Sequence, residues 1–256
     1  MIIVKLGGSV ITDKNKENTA RKRVIKRLIQ EIKKADRRII LVHGAGSFGH
    51  IHAERYHLDK GFENEEQLKG FSITHLNVRR LNRIIIDCLQ RQGIPSISIP
   101  PLSVVEMSDG RLRYISTGCF VRALSLNLTP VTFGDVVFDE KRGFSICSGD
   151  MLVLGLSRYF EPERVIFVID EDGIFDKDPK LHGNAKLLTT IDYRDLPSSS
   201  EMVYPDVTGG MGGKIEVIKR LAEQGTEVVV VNGNKRGRLY RSLKGERVKG
   251  TLVTGG

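Results

Sequence analysis

Short apolar runs rich in β-branched residues alternate along this chain with segments in which apolar residues recur every three or four positions. The runs are typical of buried strands, and the periodic segments are typical of amphipathic helices. Seven strands are predicted, at Ile2–Lys5, Arg38–His43, Ile94–Ile99, Pro130–Phe133, Arg164–Ile169, Glu227–Val231 and Thr251–Thr254. Six helices are predicted, at Thr19–Lys34, Glu65–Arg91, Gly118–Asn127, Asp150–Tyr159, Lys214–Gln224 and Gly237–Leu243. Nearly continuous apolar strands separated by helices indicate an α/β fold with a mostly parallel sheet covered on both faces.

Two further stretches, MSDGRLRYIS (107–116) and VVFDEKRGFSIC (136–147), have the pattern of hairpins with polar tips. Each carries an Asp and a Gly in its turn region, as tight hairpin turns prefer. We expect both hairpins to lie beside the sheet. Ligands of parallel α/β sheets collect where glycine-rich loops follow the carboxyl ends of strands, so these loops are the first candidates for chemistry.

The 256 residues suffice for one large α/β domain or for two lobes that share a sheet. Their formal charge of +9 attracts anions such as phosphorylated metabolites or nucleic acid. A nucleic-acid surface would interleave basic residues with exposed aromatics, yet aromatics make up only 6% of the chain. The densest basic run, ARKRVIKRLIQEIKK (20–34), has apolar residues at helical spacing, so its charges are expected on the exposed face of a helix. No nucleic-acid partner is therefore expected.

The three cysteines, Cys88, Cys119 and Cys147, are far apart and lack metal-ligand spacing. Such cysteine usage fits a reducing, cytoplasmic location. No apolar stretch approaches the length that crosses a bilayer, so no membrane partner is expected.

Four glycine loops follow predicted strands or precede predicted helices: KLGGS (5–9), HGAGSFGH (43–50), CSGD (147–150) and TGGMGGK (208–214). Successive glycine amides form a concave seat for an anion, and a lysine adds a point charge. The last loop resembles a Walker A motif, but its spacing is one residue short and Ile215 replaces the Mg²⁺-binding Ser or Thr. It is best explained as a phosphate seat, whereas KLGGS taken alone fits a tight turn equally well.

The second loop contains Gly44–Gly49, which spells the G-x-G-x-x-G dinucleotide fingerprint but follows the second strand rather than the first. The acid expected about 20 residues later falls at the start of a long helix, which disfavours a dinucleotide site. An anion seat at a helix N-terminus remains. His50 opens that helix and can donate a hydrogen bond to a phosphate oxygen. The less favoured alternative is a polar surface histidine. His43 ends a buried strand and is expected to be a core histidine.

Acidic residues occur in two loops, at Asp150 and in the run that begins at Asp170. Ser148 or Asp150 can cap the helix that follows them, or Asp150 can hold the ammonium groups of lysines in place. The run Asp170-Glu171-Asp172 follows a strand and can hold ribose hydroxyls or Mg²⁺-bound water, or cap the turn.

The glycine loops combine with Lys5, Lys14 and Lys214, which are widely separated in sequence. This combination suits two phosphorylated ligands that meet end to end. Phosphoryl transfer needs in-line positioning and cations on the developing charge, usually with Mg²⁺. A small-molecule kinase is therefore the leading function class. A nucleotide-binding or nucleic-acid-binding module is the alternative from another class.

Taken together, KLGGS, HGAGSFGH, SGD (148–150), DEDGIF (170–175) and TGGMGGK resemble the amino acid kinase superfamily, and more narrowly the archaeal-type isopentenyl phosphate kinases. The resemblance runs along nearly the whole chain. It implies a three-layer αβα sandwich on one continuous sheet, with an acceptor lobe at 1–160 and an ATP lobe at 161–256, acting as a homodimer. It also implies transfer of the γ-phosphoryl group of ATP, with Mg²⁺, to isopentenyl phosphate in isoprenoid biosynthesis.

The resemblance also assigns roles to residues. Catalytic roles fall to Lys5, Lys14, Asp150 and Lys214. The acceptor phosphate is assigned to Gly8, Ala45, Gly49, His50 and Gly149. The nucleotide is assigned to Lys5, Gly7, Gly8, Ser9, Gly46, Asp170, Gly209, Gly210 and Lys214. No protein metal site is implied.

Other members of the superfamily remain alternatives, because fosfomycin kinase is similar around the histidine loop, and acetylglutamate, glutamate and uridylate kinases share the simpler motifs. An isopentenyl tail requires a pocket lined with hydrocarbon. The candidates for that lining are Phe71, Ile73, Ile86, Phe133 and Ile146.

Overall fold

The computed structural model describes residues 1–179, 181–197 and 210–255. The strands are β1 (Ile2–Leu6), β2 (Ile39–His43), β3 (Ser96–Ser98), β4 (Val105–Ser108), β5 (Arg111–Ile115), β6 (Thr129–Phe133), β7 (Asp135–Asp139), β8 (Gly143–Cys147), β9 (Arg164–Ile169), β10 (Thr190–Asp192), β11 (Glu227–Asn232) and β12 (Gly250–Thr254). The α-helices are α1 (Gly8–Ile11), α2 (Lys22–Ala35), α3 (His50–Arg55), α4 (Glu66–Arg91), α5 (Gly118–Ser125), α6 (Gly149–Phe160), α7 (Gly210–Glu223) and α8 (Arg238–Leu243).

The main sheet has eight strands in the order β10-β12-β11-β9-β1-β2-β6-β3. All neighbouring pairs are parallel except β11 and β12, which run antiparallel. The pairing of β1 with β9 joins the first strand of the chain to a strand that begins at Arg164. The predicted α/β class with a mostly parallel central sheet is confirmed.

Alternate residues of the central strands face opposite layers of helices. On β1, Ile3 packs in a core that includes residues of α6 and α7, whereas Ile2 and Val4 pack in a core that includes residues of α2, α4 and α8. This alternation follows from the two-residue repeat of a strand. Because both faces of the strands are buried, the strands are apolar at nearly every position. The three layers are those of an αβα sandwich.

Both predicted hairpins are present and form a separate four-stranded sheet in the order β5-β4-β7-β8. The carboxylate of Asp139 accepts hydrogen bonds from the amides of Asp109 and Gly110, which lie in the turn of the other hairpin. It also accepts one from the hydroxyl of Ser145 on the neighbouring strand. Burial opposes the charge of Asp139, but these donors and the amides of its own turn hold its pKa well below the usual value. One ionised side chain thus ties the two hairpin tips together.

Some predicted boundaries are wrong. The last glycine-rich stretch was expected to precede a helix that begins at Lys214, but α7 already begins at Gly210, so Lys214 lies in its second turn. The helix expected from Thr19 begins at Lys22 instead, because Ala20 forms an isolated β-bridge with Thr12. The strand expected over Ile94–Ile99 is reduced to the three residues of β3. Within the described part of the chain, no helix combines the length and the apolar character that crossing a bilayer requires.

Candidate active site

The strands β1, β2, β6 and β9 are neighbours in the parallel part of the sheet, so their carboxyl ends meet at one edge. A cavity of about 540 Å³ opens at this edge. It is lined by the predicted site residues Lys5, Gly7, Gly8, Ser9, Lys14, Ala45, Gly46, Gly49, His50, Gly149, Asp150, Asp170 and Lys214. Of the two remaining predicted residues, Gly210 is the first residue of α7, and Gly209 lies outside the described residues.

Two lysines from distant parts of the chain form ion pairs with one carboxylate in this cavity. The ammonium of Lys5 lies 2.9 Å from Oδ1 of Asp150, and that of Lys214 lies 2.8 Å from Oδ2. Lys5 is the last residue but one of β1, Asp150 lies in the first turn of α6, and Lys214 comes from α7. A Cβ at Gly149 would meet Cε of Lys5 at 3.4 Å, so this glycine leaves room for the lysine stem. The three charges form the centre of the candidate site.

The electrostatics of this centre follow from burial and from the pairing. Burial lowers the pKa of Lys5 to about 8, and repulsion from Lys214 adds to the decrease, whereas Asp150 opposes it. Burial would raise the pKa of Asp150, but the two lysines hold it well below its usual value. Asp150 is therefore ionised at neutral pH, with one lysine ammonium within 3 Å of each of its oxygens. It orders the lysines and is a poor proton acceptor.

Ser148 and Asp150 have separate roles. The hydroxyl of Ser148 caps α6 by accepting a hydrogen bond from the amide of Met151 at 3.1 Å. The choice that the sequence left open is therefore resolved: the serine caps the helix and the aspartate holds the lysines.

A second ion pair lies at the end of β9. The carboxylate of Asp170 accepts a hydrogen bond from the hydroxyl of Ser9 at 2.8 Å and one from the ammonium of Lys14 at 2.7 Å. Burial opposes the charge of Asp170, but the bonds from Lys14 and Ser9 lower its pKa. The neighbouring Asp172 is bound instead by Asn232, Arg238 and Lys249. Of the acidic run, Asp170 and Glu171 line the cavity.

The first two glycine loops contact each other through their backbones. A Cβ at Gly8 would lie 2.5 Å from the amide nitrogen of Gly46, and a Cβ at Gly44 would lie 2.7 Å from the nitrogen of Gly8. Gly46 also has a φ of +52°, which favours glycine. The absence of side chains thus brings the loop after β1 and the loop after β2 into direct contact beneath the cavity.

The two histidines of the second loop have different environments. His50 lines the cavity as the first residue of α3. His43 is fully buried, stacks on Phe133, and its ring nitrogens lie 3.0 Å from the carbonyl of Gly44 and 3.2 Å from the amide of Asn82. Burial lowers its pKa to about 4, so it is neutral. His43 is the core histidine that the sequence predicted.

One end of the cavity is apolar, and the sequence predicted only part of this wall. Ile51, Val78, Val136 and Ile146 contribute to it. Of the five apolar candidates, Ile146 is in the lining, whereas Phe71, Ile73, Ile86 and Phe133 are not. Phe133 belongs to the core, and Phe71 packs against Phe138 and Phe144. No local pattern marks the wall, because its residues come from two helices and two hairpin strands.

The acidic residues of the cavity do not form a protein cage for Mg²⁺. Asp150 and Asp170 are both engaged by lysines. The described residues contain no group of three or more side chains suited to hold a metal ion. Mg²⁺ in kinases is bound largely by substrate phosphates.

Several known proteins are similar to this chain over nearly its whole length. The model of the amino acid kinase family matches residues 1–232. The isopentenyl phosphate kinase of Methanothermobacter thermautotrophicus is 41% identical, over 100% of this chain and 99% of its own. That of Methanocaldococcus jannaschii is 36% identical, over 99% and 98%. A solved isopentenyl phosphate kinase structure superimposes with a TM-score of 0.88 at 38% identity, covering 99% of this chain and 100% of its own. The chain belongs to the amino acid kinase family, and these full-length relatives within it are isopentenyl phosphate kinases.

Proposed function

We propose that this protein transfers the γ-phosphoryl group of ATP to isopentenyl phosphate, giving isopentenyl diphosphate and ADP. The observation that carries the proposal is the group of Lys5, Asp150 and Lys214 in a cavity that His50 also lines. The relatives that align over the full length bear the name of this activity. The apolar end of the cavity is suited to a short hydrocarbon tail.

The acceptor in this reaction is a phosphate monoester, which needs no activation by a base. Its second pKa is about 6, so its attacking oxygen is already ionised at neutral pH. Kinases that phosphorylate hydroxyl groups place an aspartate to accept the hydroxyl proton. Here Asp150 is occupied by two lysines and has a depressed pKa. The site is therefore built for an anionic acceptor.

The remaining work is to bring two anions together and to stabilise the charge that develops between them. In the proposed reaction Lys5 and Lys214 contact the transferring phosphoryl group, and Lys14 assists once released from Asp170. His50, with the backbone of Ala45, Gly49 and Gly149, binds the acceptor phosphate. The nucleotide is assigned to Gly7, Gly8, Ser9, Gly46, Asp170, Gly209 and Gly210. In this proposal residues 1–160 form the acceptor lobe and residues 161–256 the ATP lobe.

Mg²⁺ bound to the ATP phosphates would supply further neutralisation of charge. We also assign the protein to the cytoplasm, which its three free cysteines support. A homodimer is part of the proposal because the family resemblance implies one. Light scattering at micromolar protein concentration measures the oligomeric state directly.

The decisive experiment is an acceptor screen with MgATP, in which ADP release is coupled to a spectrophotometric assay and products are identified by phosphorus NMR. We expect turnover with isopentenyl phosphate and a diphosphate signal. Fosfomycin, UMP, acetylglutamate and glutamate serve as competing acceptors. Turnover of any of these in the absence of turnover with isopentenyl phosphate would reject the proposal.

The assigned role of His50 gives a second test. Replacement His50→Ala removes a hydrogen bond to a charged phosphate, which is worth about 1.5–3 kcal/mol. We expect the KM for isopentenyl phosphate to rise about tenfold to a hundredfold while the KM for ATP changes little. His57→Ala, an exposed histidine beyond the end of α3, is the matched control. Equal loss of affinity for both substrates would contradict the acceptor role.

A further inference from the structure

The hydroxyl of Thr12 links the first two glycine loops of the cavity. It donates a hydrogen bond to the carbonyl of Gly8 at 2.7 Å and accepts one from the amide of Ser47 at 3.0 Å. A carbonyl can only accept and an amide can only donate, so the direction of each bond is fixed. Thr12 is only 1% exposed, so water does not compete for either bond. The side chain thus forms a buried bridge between the loop after β1 and the loop after β2.

This bridge is the direct polar link between the two loops. The ladder that joins β1 to β2 ends where the amide of Gly44 donates to the carbonyl of Leu6 at 2.9 Å. Beyond that point, no other hydrogen bond among the described residues joins residues 7–12 to residues 44–49. The hydroxyl of Thr12 therefore continues the connection between neighbouring strands into the loops that follow them.

The second loop is also contacted from a later segment of the chain. The amide of Asn18 donates to the carbonyl of Ser47 at 3.2 Å, and the amide of Thr19 donates to its hydroxyl at 3.4 Å. These bonds hold Ser47 against residues 18 and 19 but do not reach the loop after β1. Loss of the Thr12 hydroxyl would therefore not free the second loop. It would change the position of one glycine loop relative to the other.

The rest of the Thr12 side chain packs against Gly46. A Cβ at Gly46 would lie 2.2 Å from Oγ1 of Thr12 and 2.8 Å from its Cγ2. Thr12 thus fills the space beside this glycine as well as bonding to both loops. Valine has nearly the shape of threonine but lacks the hydroxyl, so a single replacement can separate the hydrogen bonds from the packing.

The two hydrogen bonds orient peptide groups that form the cavity. A trans peptide group is planar, and its carbonyl and N–H point in opposite directions. The bond to the carbonyl of Gly8 therefore also sets the direction of the Ser9 amide, and the bond from the amide of Ser47 sets the direction of the Gly46 carbonyl. Gly8, Ser9, Gly46 and Ser47 all line the cavity, whereas Thr12 is not part of that lining. Thr12 acts on the cavity through these residues rather than by touching a ligand.

We infer that Thr12 is a positioning residue for phosphoryl transfer, because its hydroxyl holds the peptide groups of the proposed nucleotide-side loop and of the proposed acceptor-side loop at a fixed separation. A displacement of about 1 Å at the reacting groups can change a rate about a hundredfold. The effect on catalysis rests on the proposed function, whereas the bridge is a property of the ligand-free protein. The two can therefore be tested separately.

The first measurement is hydrogen exchange of the Ser47 amide in the ligand-free protein, followed by NMR. Thr12→Val removes the acceptor of this amide, so we expect its exchange to become about tenfold faster while exchange in α4 is unchanged. The matched control is Thr132→Val, because Thr132 is fully buried on β6 and its hydroxyl has no hydrogen-bond partner among the described residues. Unaltered exchange of Ser47 in Thr12→Val would overturn the bridge, whatever reaction the protein catalyses.

The second measurement is steady-state kinetics with MgATP and isopentenyl phosphate. Thr12→Val should lower kcat about tenfold to a hundredfold and leave the KM for each substrate nearly unchanged, because Thr12 touches neither ligand. Thr132→Val should have the kcat of the wild-type protein. A wild-type kcat in Thr12→Val, or a rise in both KM values with kcat unchanged, would overturn the positioning role.

A conservative replacement separates hydrogen bonding from packing. Thr12→Ser keeps the hydroxyl and loses the methyl group, so we expect it to retain slow exchange of the Ser47 amide and most of kcat. Equal loss of kcat in Thr12→Ser and Thr12→Val at equal Tm would show that packing alone matters, and would overturn the role of the hydroxyl. If the wild-type protein did not turn over isopentenyl phosphate while the exchange result held, the proposed function would be rejected and the bridge retained.

Discussion

Asp150 is the residue whose removal tests the candidate site most directly. Replacement Asp150→Asn keeps the shape of the side chain but removes its charge, and it turns an NH₂ group toward one of the two ammonium groups. Both contacts, at 2.9 Å to Lys5 and 2.8 Å to Lys214, lie in a largely buried environment. The variant therefore keeps one acceptor oxygen at this position, where the wild-type carboxylate has two.

The size of the effect follows from the burial. Removal of one partner of a buried ion pair costs about 3–5 kcal/mol, because the remaining charge is left uncompensated. For a domain of this size, that cost corresponds to a decrease in Tm of about 6–20 °C. Burial already lowers the pKa of Lys5, and Asp150 opposes this effect. The variant should therefore also titrate Lys5 at a lower pH than the wild-type protein does.

Two assays separate the structural and functional consequences. Calorimetry of the ligand-free protein should show the decrease in Tm, and a large part of it should be recovered by saturating ATP, since phosphate oxygens can pair with the lysines in place of the carboxylate. In steady-state kinetics, kcat should fall at least about a hundredfold. The affinity for ATP should hold or improve, because the site gains one unit of positive charge.

Asp87→Asn is the matched control, since Asp87 is exposed on α4 and lies 4.0 Å from Arg83. A surface change of this kind should alter the free energy of unfolding by less than about 0.5 kcal/mol. If Asp150→Asn retained the Tm and kcat of the wild-type protein, Asp150 would not be what holds the lysines. If saturating ATP raised the Tm of Asp150→Asn by less than it raises the Tm of the wild-type protein, the electrostatic account would be refuted.

Two further predictions follow from the geometry. The pKa of Lys5 is about 8, and its ammonium must be charged to bind phosphate, so kcat/KM for ATP should fall as the pH rises above 8. The decrease in kcat should begin at a higher pH, because bound anions stabilise the charged form. A profile of kcat/KM that is flat from pH 7 to 9.5 would contradict this prediction. Gly8→Ala should destabilise the protein by about 1–3 kcal/mol and lower kcat strongly, because the new Cβ would meet the backbone of Gly46 at 2.5 Å. Gly118→Ala, where a Cβ meets nothing within 4 Å, is the control, and equal stability of the two variants by denaturant unfolding would rule out the predicted clash.

The meeting of the glycine loops could be predicted from the sequence because it follows from topology. Parallel strands end at the same edge, so a loop after β1 and a loop after β2 must be neighbours once the strands are recognised. The ion pairs that link Lys5 and Lys214 through Asp150 could not be predicted in the same way. From the sequence alone, Asp150 could have been only a helix cap. The choice depended on how α6 and α7 are oriented against the sheet, and short-range patterns carry no information on this.

Other parts of the site have no signal in the sequence. The apolar wall combines Val78 from a long helix with Val136 and Ile146 from hairpin strands. In the local sequence, each of these residues is an ordinary apolar position. They line the cavity together only because elements that are distant along the chain pack against each other.

The contact between the first two glycine loops also gives their glycines a structural role that the sequence did not indicate. The sequence suggested that they expose amides to phosphate, but at Gly8 and Gly44 the space for a side chain is filled by the backbone of the opposite loop, and at Gly46 it is filled mainly by the side chain of Thr12. The loop of the proposed nucleotide side and the loop of the proposed acceptor side are therefore packed against each other before any ligand binds. In-line transfer needs the two phosphates at a fixed separation. In the proposed reaction, backbone contact between the loops would fix this distance more rigidly than flexible lysine side chains can. The lysines would then neutralise charge while the glycines set the geometry.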